Sequence, residues 1–338
     1  MKRNFINIIF LVLITTIVTP PPLTFARRTK TTIQNVGFKP LDALHNNPTL
    51  KAFIENVLTK RYTNWGLPAN LVKYIFATLE KYRNNPEQAR QRVYAETIDF
   101  ETNTDWQEAY NRYKSATKYT TTFSQIEQVL GSLPIGATVV DVGCGNNILG
   151  KEIAINNPKI SIIGTDTYDY HEEHGLSNLN FLQQSSPFDI PIGEESVDVI
   201  ILNATLHHVS PEEIGEFLNE LSRILKPGGK VILVEDTWSE NIPFKTEESD
   251  IELTNEFLSL VEQYGEDFAK EYLIFNDWYS NIVVHQWDGM AMPYNFHSME
   301  SWQTIFQNQG FTTSETLFFG FLKQTFHKPS VGIIVFTN

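Results

Sequence analysis

Apolar positions along this chain follow two rhythms, and the switch between them falls near Ala137. Before that point the spacing is helical. Residues 50–60 carry Phe53, Ile54, Val57 and Leu58, and residues 68–82 carry Leu71, Val72, Ile75, Phe76 and Leu79. Apolar side chains at i, i+3, i+4 and i+7 share one helical face, so both segments predict amphipathic helices. The Asn84-Asn85-Pro86 break starts another helix, with proline early, where its missing N–H costs nothing. Residues 106–119, with Tyr110 and Tyr113 on one side, predict a further one.

After Ala137 short apolar runs alternate with helical patterns. Residues 138–142, 160–164, 179–182, 197–202 and 230–235 read as buried strands, with amphipathic helices at 148–155 and 211–225. Strand and helix in alternation predict a parallel sheet with helices on both faces. The end of the chain departs from this. Residues 316–323 and 331–337 are two strand-like runs joined by the short His327-Lys328-Pro329 stretch, which predicts an antiparallel hairpin. A long insertion, about 238–297, separates the strand ending at Glu235 from a helix at 299–308. It holds an expected helix over 254–273 and then an aromatic stretch. Loops at strand C-termini line the ligand site of an open α/β sheet, so an insertion here is a functional candidate.

The fold class that follows is α/β: a doubly wound, seven-stranded, mostly parallel sheet with a C-terminal antiparallel hairpin. To it are added an N-terminal helical region over 31–130 and an inserted cap, the main domain being 131–338.

Composition narrows the function classes. The 338 residues are 41% hydrophobic and 20% charged, ordinary for a globular protein with a packed core. The formal net charge is −14, and no dense Lys/Arg run follows Lys30. Phosphate binding needs concentrated positive charge, so the expectation is a small-molecule partner and no nucleic acid. Cys144 is the one cysteine, which excludes an internal disulfide and a cysteine-based zinc site. It stands in a glycine-rich turn that needs a small residue. Residues 1–26 have the layout of a signal peptide or membrane anchor: a basic start, an apolar run and a small residue at Ala26. The apolar run is shorter than the roughly 20 residues of a spanning helix. Arg27, Arg28 and Lys30 put positive charge beyond it too, which leaves membrane association through the N-terminus open.

The candidate chemistry begins at Asp141-Val142-Gly143-Cys144-Gly145-Asn146-Asn147, at the end of the first strand. Gly143 and Gly145 let the backbone turn sharply and approach a ligand. The turn leads into a helix N-terminus, which favours an anionic group, while Asp141 could face a cationic amine. A dinucleotide loop would have G-x-G-x-x-G, and that register puts Ile148 where the third glycine should stand. A nicotinamide-dependent oxidoreductase is therefore disfavoured. Asp166 closes the next strand, where an acid can accept hydrogen bonds from both ribose hydroxyls.

With these residues in place, the stretch 137–237 resembles class I S-adenosylmethionine-dependent methyltransferases of the small-molecule, methyltransferase type 11-like group. The resemblance rests on Val140-Asp141-Val142-Gly143-Cys144-Gly145, Asp166 and Asp189-Ile190-Pro191-Ile192. It also rests on Ser196-Val197-Asp198-Val199-Ile200, Leu206-His207-His208-Val209 and the block from Leu221 to Lys230 that turns on Pro227-Gly228-Gly229. It implies S-adenosyl-L-methionine as cofactor, with Asp141, Gly143 and Gly145 holding its methionine part and Asp166 its ribose. Ser185-Ser186-Pro187-Phe188 would cradle the adenine, and Asn203 would open the loop beneath the sulfonium. Two positions depart from the family: Asn147 stands where glycine is common, and Ser186 where an acid is common. Asparagine tolerates a left-handed backbone and serine can accept a hydrogen bond, so both remain cofactor-binding candidates.

The expected activity is methyl transfer to a small-molecule acceptor by in-line displacement; the alternative is a methyltransferase-like module that binds cofactor or partner without turnover. An oxygen or nitrogen acceptor can require a base, for which His207, His208 and His285 are candidates. Substrate-binding candidates are Asp236, at the ligand end of a strand, and Trp278, Asn281, Tyr294 and Asn295 in the insertion. No metal site is expected, since His285 and His297 lack any standard ligand spacing. Localisation carries a tension: the N-terminal segment suggests export or membrane attachment, while the cofactor is made in a cytosol.

Overall fold

The computed structural model describes residues 39–68, 70–98, 103–109, 121–169, 174–286, 290–323 and 329–338. The expected signal or anchor, Tyr110 and Tyr113, and the His327-Lys328 link lie outside the described residues. Among the described residues, no helix is long and apolar enough to cross a membrane.

Seven strands form one sheet: β1 (Thr138–Val142), β2 (Ser161–Asp166), β3 (Leu179–Gln183), β4 (Val197–Asn203), β5 (Leu225–Asp236), β6 (Thr312–Gly320) and β7 (Val331–Thr337). Their order is β3-β2-β1-β4-β5-β7-β6. The first five run parallel, and β7 lies antiparallel to both β5 and β6. The order reverses between β1 and β4, so the loops that leave those two strands part there and open a crevice.

The period of two explains both faces. Val140, Val142, Ile200, Leu202, Val231 and Leu233 pack under the helices Ile214–Ile224 and Met299–Asn308, against Phe217, Leu221, Trp302 and Phe306. Their neighbours Val139, Val199, Ile201, Ile232 and Val234 pack on the opposite side, under Thr121–Leu130 and Ile148–Asn156. Strands buried on both faces read as unbroken apolar runs, which is why their sequence signal is strong.

A further core belongs to neither face. Leu50, Phe53, Tyr62, Val72 and Ile75 of the N-terminal helices are buried together with Phe257, Phe268, Tyr272, Phe275 and Tyr279 of the insertion. Polar contacts stitch the same two segments: Tyr62 donates to the Tyr279 hydroxyl at 2.9 Å and Arg61 to Asn276 Oδ1 at 3.2 Å. The N-terminal region and the insertion therefore form one cap. Its helices start where the sequence caps them, with Asn47, Asn85 and Asp250 each accepting a backbone N–H of the first turn.

Three element expectations need correction. The helix expected over 254–273 is two helices, Ile251–Tyr264 and Glu266–Trp278, because Gly265 takes φ 84° between them. The strand expected at 316–323 is Thr312–Gly320, which starts earlier and carries register shifts. The Pro227-Gly228-Gly229 turn lies within β5 rather than before it, where the pairing with β4 is irregular.

Candidate active site

The glycine loop leaves β1 at the point where the strand order reverses. Gly143 has φ 75°, and a Cβ there would stand 2.6 Å from Thr205 Cγ2, so glycine lets the loop after β4 lie directly on it. Thr205 Oγ1 completes that contact by donating to the Val142 carbonyl at 3.1 Å. Gly145, at φ 54°, has nothing within 4 Å of the place a Cβ would take. Its backbone thus faces open space, as a ligand cradle requires. Asn147 takes the left-handed conformation, φ 60° and ψ 25°, so the turn survives without a glycine there. Its buried side chain lies against Gly150 and Gly164, with Oδ1 unpartnered.

Two acids flank this loop. Asp166 accepts the Gly145 N–H on Oδ2 and the Tyr168 N–H on Oδ1, each at 2.9 Å. Burial pushes its carboxyl up, against the lowering effect of those N–H groups. With Thr167 as a third backbone donor, the two oxygens together still keep a lone pair for a further donor. Asp141 is buried, and burial together with the Asp166 charge raises its carboxyl to about 7. Cys144 is buried beside them, and burial pushes its thiol far up, so it is an inert packing residue. Ser186 forms a small bridge with Asp189, and its Oγ accepts the Phe188 N–H at 3.3 Å.

The loop after Asn203 carries a denser arrangement. His207 is buried, and its Nδ1 lies 2.6 Å from Glu235 Oε2. The other oxygen of Glu235 accepts the N–H groups of Thr205 at 2.9 Å and Leu206 at 2.7 Å. Phe296 stacks on the His207 ring with centroids 4.7 Å apart. On its far side, His207 Nε2 is 3.6 Å from Asp277 Oδ1, and His208 Nε2 is 3.9 Å from the same oxygen. Burial works against a charged imidazole at His207, but the Glu235 and Asp277 carboxylates outweigh it and hold that ring well above its ordinary range. Burial and the His207 charge push His208 down. Burial would raise Asp277, yet His208, His207 and Asn281 together hold it below the usual carboxylate range.

The remaining candidates sort by place. Asn281 donates to Asp277 Oδ1 at 2.6 Å, and the Asn295 N–H donates to the His207 carbonyl at 3.1 Å, so both border the histidines. Tyr294, at φ 56°, precedes Asn295 in the same stretch. Trp278 is buried in the cap core against Phe275. His285 follows the π-turn Tyr279–Val284 and is outside the cluster of His207, His208 and Asp277. Asp236 ends β5 on the face opposite Glu235. Sequence reasoning leaves out Thr205, pairs Glu235 with Asp236 without choosing between them, and gives Asp277 no role of its own within the polar and aromatic cluster of the insertion. The strand alternation that puts Glu235 in phase with Val231 and Leu233 was the available signal for choosing Glu235; nothing local marks Asp277.

Residues 140–233 match the family described as Methyltransferase domain. Over that stretch the chain is similar to methyltransferase domains. The matched stretch runs from within β1 into β5 and so contains Asp141, Asp166, His207 and His208. A tRNA (carboxymethyluridine(34)-5-O)-methyltransferase of Arabidopsis thaliana is 30% identical over 151 residues, 43% of this chain and 33% of that protein. The U6 snRNA (guanine-N(2))-methyltransferase THUMPD2 of Homo sapiens is 28% identical over 139 residues, 36% of this chain and 28% of its own. The chain thus spans a third or less of the length of these two curated relatives. Among solved structures, the methyltransferase complexed with the Trm112 activator of Haloferax volcanii superposes with TM-score 0.43 at 16% identity, covering 67% of this chain and 93% of that one.

These relatives correct one expectation. The acidic balance predicts no nucleic-acid partner, yet these relatives of part of the chain are named for tRNA and U6 snRNA. Net charge is a property of the whole chain and does not describe the surface that meets a substrate.

The methyltransferase family implies S-adenosylmethionine, and the residues present fit it. Gly145 offers backbone facing open space, Asp166 retains acceptor capacity, and Asp141 supplies a buried acid.

Proposed function

We infer that this chain is an S-adenosylmethionine-dependent methyltransferase whose acceptor meets the cofactor beside His207 and His208, under the cap. One observation carries the reading: the loop holding the two histidines packs directly on the glycine loop, through Thr205 on Gly143. The same loop brings His208 close enough to Asp166 for its charge to act on that carboxyl. Cofactor acids and acceptor-side polar groups thus converge at one switch point, as methyl transfer requires.

Asp166 would hold the ribose, and Asp141, Gly143 and Gly145 the methionine end. Asn147 keeps the turn in shape, and Ser186 and Asn203 line the adenine and sulfonium sides. When bound, the cofactor supplies an activated methyl group on sulfur. The protein's own contribution is alignment, because an in-line approach fixed in a closed site replaces a costly bimolecular encounter. The cap supplies closure, with Asn281 on Asp277 and Asn295 on the His207 backbone, and Tyr294, Trp278 and the β5 residue Asp236 are the other acceptor-side candidates. Within this reading His207 and His208 meet the acceptor, and His285 stands further along the cap.

The test offers a tritium-labelled donor with two acceptor sets, a panel of small hydroxyl- and amine-bearing metabolites and a tRNA pool. Label transfer to a member of either set supports the reading and identifies the acceptor class at once. Cofactor binding with no transfer to any acceptor would favour the non-catalytic module instead.

A further inference from the structure

We propose that His207, His208 and Asp277 form a binding site for one divalent transition-metal ion at the acceptor side of the cleft. Each offers one ligand atom, and the three atoms lie within 4.8 Å of one another. The Nε2-to-Oδ1 separations of 3.6 and 3.9 Å compare with about 3.3 Å between neighbouring ligands around a tetrahedral ion with bonds near 2.1 Å. Those two separations need shifts of only a few tenths of an ångström, while the two histidine nitrogens, within 4.8 Å of each other, have further to close.

Three independent features point to an ion rather than to chance proximity. The first is tautomer control. His207 Nδ1 is engaged by Glu235 at 2.6 Å and His208 Nδ1 by the Ala291 carbonyl at 2.8 Å. Both rings are thereby fixed with Nδ1 turned outward and Nε2 turned toward Asp277. Carboxylate–histidine–metal and carbonyl–histidine–metal relays use this orientation, since the outer partner sets which nitrogen carries the proton.

The second feature is an unpaired oxygen. Asp277 is 5% exposed, Asn281 serves its Oδ1, and its Oδ2 has no hydrogen-bond partner. A buried carboxylate oxygen without a partner is costly, and coordination would satisfy it.

The third is charge balance. Glu235 and Asp277 bring two buried negative charges. One divalent ion with both imidazoles neutral cancels them, whereas a single imidazolium leaves one uncompensated. Two imidazoles and a carboxylate suit zinc, iron or nickel rather than magnesium or calcium. His208 is 20% exposed and marks the open side, so coordination positions remain for an oxygen or nitrogen of an acceptor.

That last role rests on the proposed function; ion binding does not. The full chain, stripped with a chelator, is titrated with zinc by calorimetry and with cobalt by visible absorption. The expected result is one ion per chain and cobalt d–d bands typical of nitrogen and oxygen ligands. Asp277→Ala and His208→Ala should abolish the bands, and Glu235→Gln should weaken zinc about 10–100-fold. Circular dichroism and S-adenosylhomocysteine binding on the same samples show that the variants are folded. An unaltered chain that takes up no stoichiometric ion, or folded variants that bind it as well as the parent, would overturn the proposal. Ion binding without any S-adenosylhomocysteine binding would instead count against the proposed function alone.

Discussion

Glu235 Oε2 stands 2.6 Å from His207 Nδ1, while Oε1 of the same carboxylate holds the backbone of Thr205 and Leu206. One buried side chain at the end of β5 thus fixes both the loop after β4 and the orientation of its first histidine. Breaking a buried charged pair by removing one partner costs about 3–5 kcal/mol. Glu235→Ala should lose that much in equilibrium urea unfolding, and Glu235→Gln, which keeps an acceptor oxygen, clearly less. Equal losses in the two variants would show that the carboxylate charge alone, and not its acceptor oxygens, holds the loop.

Gly143 and Gly145 both take positive φ, yet their surroundings differ, and so should their substitutions. At Gly143 an added Cβ meets Thr205 at 2.6 Å, so Gly143→Ala should destabilise the fold and disturb the histidine loop together. At Gly145 the Cβ meets nothing, so Gly145→Ala should cost only the backbone strain of about 1–2 kcal/mol. Its Cβ nevertheless enters the ligand space. Cofactor affinity, read by calorimetry, should fall in Gly145→Ala by more than the melting shift implies.

The buried Asp141 gives a pH dependence of known sign. Its folded value of about 7 lies above the reference 3.8, so the folded state binds the extra proton between them. Stability should therefore fall as pH rises from about 4 to about 7 and flatten above that. A cofactor ammonium favours the ionised form, so S-adenosylhomocysteine affinity should weaken by up to about tenfold per pH unit below 7. Asp141→Asn should remove both slopes. An unchanged affinity profile in that variant would detach Asp141 from the cofactor.

Phe53 joins the two halves of the cap. Its ring lies 5.6 Å from Phe257, 5.3 Å from Tyr272 and 6.0 Å from Phe321, with almost no exposure. Truncating a buried phenylalanine costs about 3–5 kcal/mol. Phe53→Ala should expose the insertion to proteolysis even though Phe53 lies in the N-terminal region. Cleavage confined to the N-terminal helices would contradict a shared core.

The sheet was legible because its signals are local. Strands β1 and β7 have the predicted bounds, since doubly buried strands are apolar at every position. The places of the two acids were legible too, as Asp166 closes β2 and Asp141 stands one residue before the end of β1. What escaped depends on distant contacts. Phe53 and Phe257 each look like one amphipathic helix's core, and nothing in either segment says that they pack on one another. Gly265 gives no clear break signal in the sequence, because a single glycine within a helical pattern is often tolerated. Glu235 and Asp236 are adjacent acids, and only the phase of the strand tells which one turns to His207. Asp277 lies among cap residues, and its tie to His207 exists only once the cap closes on the sheet.

The most direct measurement is calorimetric titration of the full chain with S-adenosylhomocysteine, beside the Asp166→Ala variant. Saturable one-to-one binding, weakened by at least about tenfold in the variant (~1.4 kcal/mol), is the expected result. No binding by the unaltered chain, or binding that the loss of Asp166 leaves untouched, would contradict a cofactor site at the β1 and β2 ends.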